Sequence, residues 1–236
     1  MFVLVHGAGC GADSWDRLLP FLDRPALAVD LPGRGRRADV PLPIVTLDDC
    51  ARAILDDVAA FGAGAGPGEG HRDLVLVAHS FAGVSVPRVM AELAPRLRHV
   101  VFLSAVVPPD RTAVLDQIDP AVQDLVRAAT AGGIYSQDRE GARSMLCNDM
   151  DAEQAEWTLD RIVDDSAALL VEQVDLSGLS ADVPRTYVRL TEDHCYSPEL
   201  QGRSAERVGG EVAYLATGHM PMVSAPRQVA ELLNGW

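Results

Sequence analysis

A strand that turns directly into a helix at a serine is the sequence feature that most restricts the fold of this chain. Residues 73–83 read DLVLVAHSFAG, an apolar run of strand character that stops at Ser80, and residues 84–93 have helical character. A turn this tight strains the backbone of its apex residue and points that side chain away from the sheet. It requires small residues two positions to either side, and here these are Ala78 and Ala82. The stretch predicts an accessible serine nucleophile, and the alternative is an ordinary serine at a strand end.

The charged residues exclude several partners and several kinds of chemistry. Among 236 residues, 34 acidic side chains outnumber 20 basic ones, and a net charge of −14 argues against nucleic acid or an anionic membrane as a partner. All 20 basic residues are arginine. Schiff-base chemistry, anchoring of pyridoxal phosphate and Walker-type phosphate loops each need a lysine amine, so the absence of lysine excludes them.

Length and segment composition predict one large domain, or one domain with an insertion, in the cytoplasm. The sequence has no run of 18 apolar residues that would span a membrane, and Met1 leads straight into an apolar strand without the features of a signal peptide. Its four cysteines are widely spaced and show no metal-finger pattern, which is typical of a reduced protein without disulfides. We expect a small-molecule substrate as the partner and leave a homodimer open.

Strands and helices alternate along both ends of the chain. Apolar runs predict strands at residues 2–5, 26–30, 74–79, 99–103, 186–190 and 211–215. Helical patterns are found at residues 15–22, where Pro20 interrupts the pattern, and at residues 47–61, 84–93 and 223–233. Thr46 is a candidate cap for the second of these helices. Because parallel strands need crossover helices, this order predicts the α/β class, with a parallel sheet covered by helices on both faces.

The middle of the chain breaks this alternation. From about residue 110 to residue 182 we find no convincing strand, only helical patches at residues 121–129 and 151–170. We therefore predict a core made of residues 1–107 and 185–236, with residues 108–184 inserted as a helical lid over the carboxyl edge of the sheet. The glycine-rich residues 62–70 follow a helix and precede a strand, the reverse of a phosphate-binding loop, so we predict a surface loop there.

Three residue types of a catalytic triad stand just beyond three predicted strands. Ser80 is followed in chain order by Asp193 and then by His219, and the carboxyl ends of parallel strands meet at one edge of a sheet. A serine hydroxyl needs a base within hydrogen-bond reach, which would be His219, and Asp193 would orient the imidazole. Glu192 and Asp110 are weaker alternatives for the acid.

The other histidines suit the role of base less well. His79 and His194 each adjoin a proposed triad residue, and neighbours in an extended segment point apart. We interpret His6, which follows the first strand, as a residue that structures its own loop. The glycine-rich loop beginning there offers the backbone N–H of Ala8, which together with the N–H of Phe81 would form an oxyanion hole.

With these positions assigned, the sequence resembles the α/β-hydrolase superfamily, and within it the branch of plant-type esterases and hydroxynitrile lyases that includes methyl salicylate esterase-like proteins. The resemblance rests on FVLVHGAGCGADSW, VDLPGRG, LVAHSFAG, TYVRLTEDHCYSP and GHMPMVSAP, and in the lid only on CNDMDAEQAEW. It implies a six-stranded parallel sheet, and it matches Ser80, Asp193 and His219 to the triad and Ala8 and Phe81 to the oxyanion positions.

The resemblance also favours the esterases over the lyases. Lyase members carry a threonine and a lysine where this chain has Gly7 and Met220. We therefore expect a serine esterase that acts on a small apolar carboxylic ester, lactone or thioester without metal or cofactor. A receptor, a tailoring enzyme such as a cyclase, or a C–C bond hydrolase on the same scaffold remain alternatives. Candidate pocket residues, with packing inside the lid as the alternative for the lid members, are Gly7, Tyr135, Met145, Met150, Trp157 and Met220.

Overall fold

A computed structural model describes residues 1–62 and 73–236 of the chain. Eight strands form within these residues: β1 (Phe2–Val5), β2 (Ala26–Val29), β3 (Leu74–His79), β4 (Leu97–Leu103), β5 (Ile134–Tyr135), β6 (Asp165–Ser166), β7 (Arg185–Leu190) and β8 (Glu211–Leu215). Six of them form one parallel sheet in the order β2-β1-β3-β4-β7-β8. The predicted α/β fold and its six-stranded parallel sheet are confirmed.

Helices connect these strands and cover both faces of the sheet. The α-helices of the described residues are α1 (Leu47–Gly62), α2 (Val86–Leu93), α3 (Pro120–Ala129), α4 (Arg139–Leu146), α5 (Ala152–Leu159), α6 (Ala168–Val171), α7 (Pro198–Val208), α8 (Pro221–Ser224) and α9 (Pro226–Asn234). Short 3₁₀ turns lie at Ala12–Trp15, Leu19–Phe21, Gly35–Arg37, Leu42–Ile44, Ser80–Val84, Val114–Gln117 and Ser177–Ser180. Within the described ranges, no helix has the length and apolar character needed to cross a membrane.

The sheet lies at the centre of the core, because its strands are apolar on both faces. In β1, Val3 and Val5 belong to one buried cluster together with side chains of α1, α2 and α7, whereas Phe2 and Leu4 belong to a second cluster together with side chains of α4, α5 and α9. All four strand residues are fully buried. Burial of one such side chain contributes about 1.5–3 kcal/mol, so the central strands fix the frame from which the loops project.

Several predicted helices are wrong in their extent. Residues 15–22 form 3₁₀ turns rather than a helix, and Pro20 lies within the second turn. The predicted helix over residues 151–170 ends at Leu159, and the terminal helix is divided into α8 and α9 by Pro226. Proline lacks an N–H and clashes with the preceding turn, which explains two of these breaks. The predicted cap of α1 is confirmed, since the N–H of Asp49 donates to Thr46 Oγ1 at 3.1 Å.

Two helices, α4 and α7, were not predicted from the sequence, although each begins with a recognisable N-terminal signal. The Asp138 carboxylate accepts from two backbone N–H groups in the first turn of α4. The Ser197 hydroxyl accepts from the N–H of Leu200 at the start of α7, and Pro198 occupies the first position of that helix. Both are standard signals for the start of a helix. The apolar patterns of α4 and α7 are too short to predict a helix without these signals.

The segment between β4 and β7 is mainly helical, but it also contains strands. The expectation that residues 110–182 lack them is wrong, because β5 and β6 pair as a short antiparallel ribbon. In this ribbon the Asp165 carboxylate forms a buried ion pair with Arg34, and it also accepts from the N–H of Gly9 at 3.0 Å. The segment between β4 and β7 is thus tied to the loops after β1 and β2. The glycine-rich segment predicted as a surface loop lies outside the described residues, apart from Gly62.

Candidate active site

Ser80 occupies the tight turn between β3 and the following helical segment. Its φ angle is +52°, in the left-handed region that side-chain-bearing residues rarely adopt, and the N–H of Val106 donates to its carbonyl at 2.8 Å. The predicted backbone strain at the apex is confirmed. The position in this turn that leaves no room for a side chain is Gly83, because a Cβ added there would lie 2.4 Å from the Val106 carbonyl oxygen. The alanines at positions 78 and 82 are accommodated in the core.

The structure brings Ser80, Asp193 and His219 together from three strand ends. The His219 Nε2 atom lies 2.9 Å from Ser80 Oγ, and its Nδ1 atom lies 2.8 Å from Asp193 Oδ2. An ionised carboxylate only accepts, so Nδ1 carries the proton and Nε2 is free to accept the serine proton. The three residues are 5%, 7% and 2% exposed, which shields this hydrogen-bonded chain from water.

Asp193 is held by four donors. Its Oδ1 atom accepts from the N–H groups of Cys195 and Tyr196, each at 2.8 Å, and its Oδ2 atom accepts from His219 and from the Ser104 hydroxyl at 2.7 Å. Burial would raise the pKa of Asp193, but these hydrogen bonds outweigh it and hold the pKa below its usual range. The carboxylate therefore stays ionised beside the imidazole.

Ser104 is a residue that sequence reasoning missed. It is fully buried at the end of β4 and has a φ angle of +41°. The sequence does show a serine just after a fourth strand, at the same edge of the sheet. It does not show which group that serine would contact, so its role could not be predicted.

Two neighbours of His219 oppose the effect of its burial on the imidazole pKa. Burial would lower this pKa, but the neighbouring Cys195 and the Asp193 carboxylate raise it above its ordinary value. The Asp193 carboxylate also contacts Nδ1 directly at 2.8 Å, so it lies where it would stabilise a protonated imidazole.

Two of the other histidines, His79 and His6, have structural contacts. His79 Nε2 donates to the His219 carbonyl at 2.8 Å, and burial together with the charge of His219 lowers the pKa of His79 to about 3. His6 Nδ1 donates to the Gly7 carbonyl at 2.8 Å, and the N–H of Leu31 donates to its Nε2. This arrangement agrees with the interpretation of His6 as a residue that structures its loop.

The alternative acids are engaged elsewhere. Asp110 accepts from the N–H of Leu176, away from the imidazole. Glu192 contributes backbone groups to its loop, where its carbonyl accepts from Asn148 and its N–H donates to Thr217. Asp193 is therefore the carboxylate that reaches His219.

A cavity of about 210 Å³ opens beside Ser80 and His219. Of the predicted pocket residues, Gly7, Tyr135, Met145 and Met220 line it. Cys195, next but one to Asp193 in the sequence, lines it as well, and the unpredicted lining residues include Cys10, Gln137 and Leu146. Met150 and Trp157 are not among its lining residues. The Trp157 ring instead lies against the guanidinium groups of Arg17 and Arg161, whose Cζ atoms are 4.9 and 4.0 Å from the ring centroid.

Both predicted oxyanion residues, Ala8 and Phe81, line the same cavity. Within the described residues, neither backbone N–H donates to another group of the chain. Gly7 packs directly beneath the nucleophile, because a Cβ added to it would lie 2.7 Å from Ser80 Cβ. A larger crevice of about 360 Å³, which includes Asp30 and Arg34, contains no triad residue. In residues 1–62 and 73–236, no cluster of His, Cys, Asp and Glu could hold a metal ion.

Comparison with known proteins agrees with this geometry. A model of the alpha/beta hydrolase family matches residues 2–232. The chain belongs to this family. It is 27% identical over 247 residues to a carbendazim hydrolyzing esterase of Nocardioides sp. (strain SG-4G), covering 98% of this chain and 97% of that protein. It is also 26% identical over 260 residues to polyneuridine aldehyde esterase of Rauvolfia serpentina, covering 98% and 93%.

The fold is shared with solved structures of the same family. An extracellular alpha/beta-hydrolase from a Paenibacillus species, described as homologous to tobacco salicylic acid binding protein 2, superposes with a TM-score of 0.84. That comparison covers 98% of this chain and 96% of the other at 22% identity. The predicted plant-type esterase branch is confirmed, and the named esterases indicate a carboxylic-ester hydrolase.

Proposed function

We propose that the protein hydrolyses small, mostly apolar carboxylic esters, including lactones or thioesters, through an acyl-enzyme on Ser80. The observation that carries this proposal is the continuous hydrogen-bonded chain from Ser80 through His219 to Asp193, with contacts of 2.9 and 2.8 Å. Both contacts fall within the range required for proton transfer between a nucleophile, its base and an orienting acid.

In the first half of the reaction, Ser80 Oγ attacks the ester carbonyl carbon while His219 Nε2 takes the hydroxyl proton. The carbonyl oxygen becomes an oxyanion, which would accept from the free N–H groups of Ala8 and Phe81. One such donor is worth about 3 kcal/mol in the transition state. When the tetrahedral intermediate collapses, His219 gives its proton to the leaving alcohol and the acyl group stays on Ser80.

Water completes the cycle. His219 removes a proton from a water molecule, the hydroxide attacks the acyl carbon, and the proton passes to Ser80 Oγ as the carboxylic acid leaves. Asp193 stays ionised throughout and stabilises the imidazolium at each step, in agreement with its lowered pKa.

The cavity supports a small, uncharged substrate. Its volume of about 210 Å³ is below the range of about 300–1,000 Å³ typical of sites for drug-sized ligands. Its apolar surface comes from Phe81, Met145, Leu146 and Met220, and none of the residues that line it is an arginine. An ester with a charged acyl group would therefore lose its hydration without gaining an ion pair.

Two features disfavour the lyase chemistry found in the same branch. A threonine in place of Gly7 would place its Cβ 2.7 Å from Ser80 Cβ, so the backbone would have to move. Met220 follows His219 where the resemblance associates lyase activity with lysine, and the whole chain contains none.

Burst kinetics with an activated ester test the proposal. We expect p-nitrophenyl acetate to release one equivalent of p-nitrophenol per enzyme before the steady state, and Ser80→Ala to lower kcat by on the order of 10⁴-fold or more. If Ser80→Ala hydrolyses the ester as fast as the wild type, the mechanism is wrong. Tight ligand binding without turnover across a panel of esters and lactones would favour a receptor or a tailoring enzyme instead.

A further inference from the structure

The lid contacts both loops that carry the acid and the base of the triad. In the turn between α4 and α5, the Asn148 side chain donates from Nδ2 to the carbonyl of Glu192 at 2.8 Å, one residue before Asp193. The next residue, Asp149, accepts through Oδ2 from the N–H of Gly218 at 2.6 Å, one residue before His219. Two successive lid residues therefore hold the backbone immediately upstream of Asp193 and of His219.

The contact at Asp149 is close and specific. Its Oδ2 atom also accepts from the Ser224 hydroxyl at 2.7 Å, which joins the lid turn to α8 beyond His219. A Cβ added to Gly218 would lie 2.4 Å from Asp149 Oδ1 and 2.8 Å from Asn148 Oδ1, so only glycine allows this approach. Asp149 Oδ1 is buried and has no hydrogen-bond partner among the described residues.

The lid turn holds the two loops that carry Asp193 and His219 on the side away from the sheet. The two loops already pair with each other, since the N–H of Glu192 donates to the Thr217 carbonyl at 3.1 Å. On the sheet side, His79 donates to the His219 carbonyl at 2.8 Å. Asp149 holds the same backbone from the lid side, so His219 is fixed from two directions.

We propose that Asn148 and Asp149 are positioning residues that set the Asp193–His219–Ser80 geometry from the lid. This inference rests on the proposed hydrolase function. A shift of about 1 Å in a catalytic group can lower a rate by about 100-fold, and each of these hydrogen bonds limits such a shift. The lid therefore contributes to the catalytic geometry as well as to the cavity wall.

Four variants test this inference. Asp149→Ala removes both acceptor contacts, and Asp149→Asn keeps one carbonyl oxygen that can accept from Gly218 and Ser224. Asn148→Ala removes the contact to the acid loop. Asp151→Ala is the matched control, because that carboxylate lies two residues further along and caps α5 of the lid itself, accepting from the N–H of Gln154 at 2.8 Å.

For each variant we would measure kcat and KM with p-nitrophenyl acetate, the pH profile of kcat/KM, the melting temperature, and the rate of Ser80 labelling by a fluorophosphonate. We expect Asp149→Ala to lower kcat and the labelling rate by about 10- to 100-fold with little change in KM. Asp149→Asn should restore most of both rates, and Asn148→Ala should have a smaller effect. The Asp151→Ala variant should lower only the melting temperature.

The pH profile separates positioning from a general loss of stability. Asp193 raises the pKa of His219, so a looser contact between them should move the acid limb of kcat/KM in Asp149→Ala to lower pH. Loss of folded protein alone would lower the whole profile without moving the limb. Equal labelling rates for wild type and Asp149→Ala, or an unmoved limb, would overturn the inference and leave the proposed function intact. If the wild type itself resists labelling, both are overturned.

Discussion

Replacing Ser104 with alanine isolates one hydrogen bond to Asp193, the proposed acid of the triad. Ser104 is fully buried, and its hydroxyl donates to Asp193 Oδ2 at 2.7 Å. Alanine also carries a Cβ, so the cost of the positive φ at this position is little changed by the substitution. The variant therefore removes a donor to a buried carboxylate and leaves the backbone geometry in place.

The magnitude follows from the contacts of Asp193. A hydrogen bond to a charged group contributes about 1.5–3 kcal/mol to the free energy of unfolding. Because three donors still contact the Asp193 carboxylate in the variant, we expect a loss of about 2 kcal/mol, in the lower part of this range. For a domain of this size, that loss lowers the melting temperature by about 4–8 °C. Loss of this donor should also raise the pKa of Asp193 in the native state, because the Ser104 hydroxyl is one of the groups that favour the ionised carboxylate.

The sign of the pH dependence follows from the lowered pKa of Asp193. A carboxyl group whose pKa is depressed on folding stabilises the protein above its unfolded pKa of about 3.9, and this contribution is lost as the pH falls through the native pKa. The destabilisation caused by Ser104→Ala should therefore be constant from about pH 8 to pH 5 and should decrease below about pH 4.

Urea unfolding followed by tryptophan fluorescence measures this difference, and the fully buried Trp15 is one of its reporters. Thr217→Val is the matched control, since the Thr217 hydroxyl is buried without a partner in the described residues and its removal should be neutral or stabilising. A loss below about 0.5 kcal/mol for Ser104→Ala at pH 7.5, or a loss that grows as the pH falls, would refute the reasoning.

Three further substitutions test separate parts of the structure. Gly83→Ala should destabilise the protein by about 2–3 kcal/mol in urea, because the new methyl group meets a backbone oxygen at 2.4 Å; an unchanged midpoint would contradict this packing. Asp165→Ala should cost about 3–5 kcal/mol by leaving the Arg34 charge buried and unpaired, and a smaller loss would show that other contacts hold the segment between β4 and β7. Asp193→Asn should lower kcat by about 10⁴-fold, because the amide removes the charge that stabilises the imidazolium of His219. An Asp193→Asn enzyme with near wild-type kcat would assign the acid to another residue.

The sequence by itself determined the sheet and the order of the groups at its edge. Short apolar runs buried on both faces allow only a covered parallel sheet, and the residues that follow each strand must then meet at one edge. For this reason Ser80, Asp193 and His219 could be placed together without a structure. Local signals also predicted the strained turn at Ser80 and the cap at Thr46.

Only the tertiary structure decided which side chains surround that edge. The donor from Ser104 and the contacts of Asn148 and Asp149 join residues that are between 44 and 89 positions apart, and no local pattern encodes such pairs. The segment between β4 and β7 was predicted least well, because its helices are short and their limits depend on capping groups and on the buried ion pair of Asp165 with Arg34. Periodicity describes which face of an element is apolar, whereas the contacts of a side chain depend on how separate elements pack.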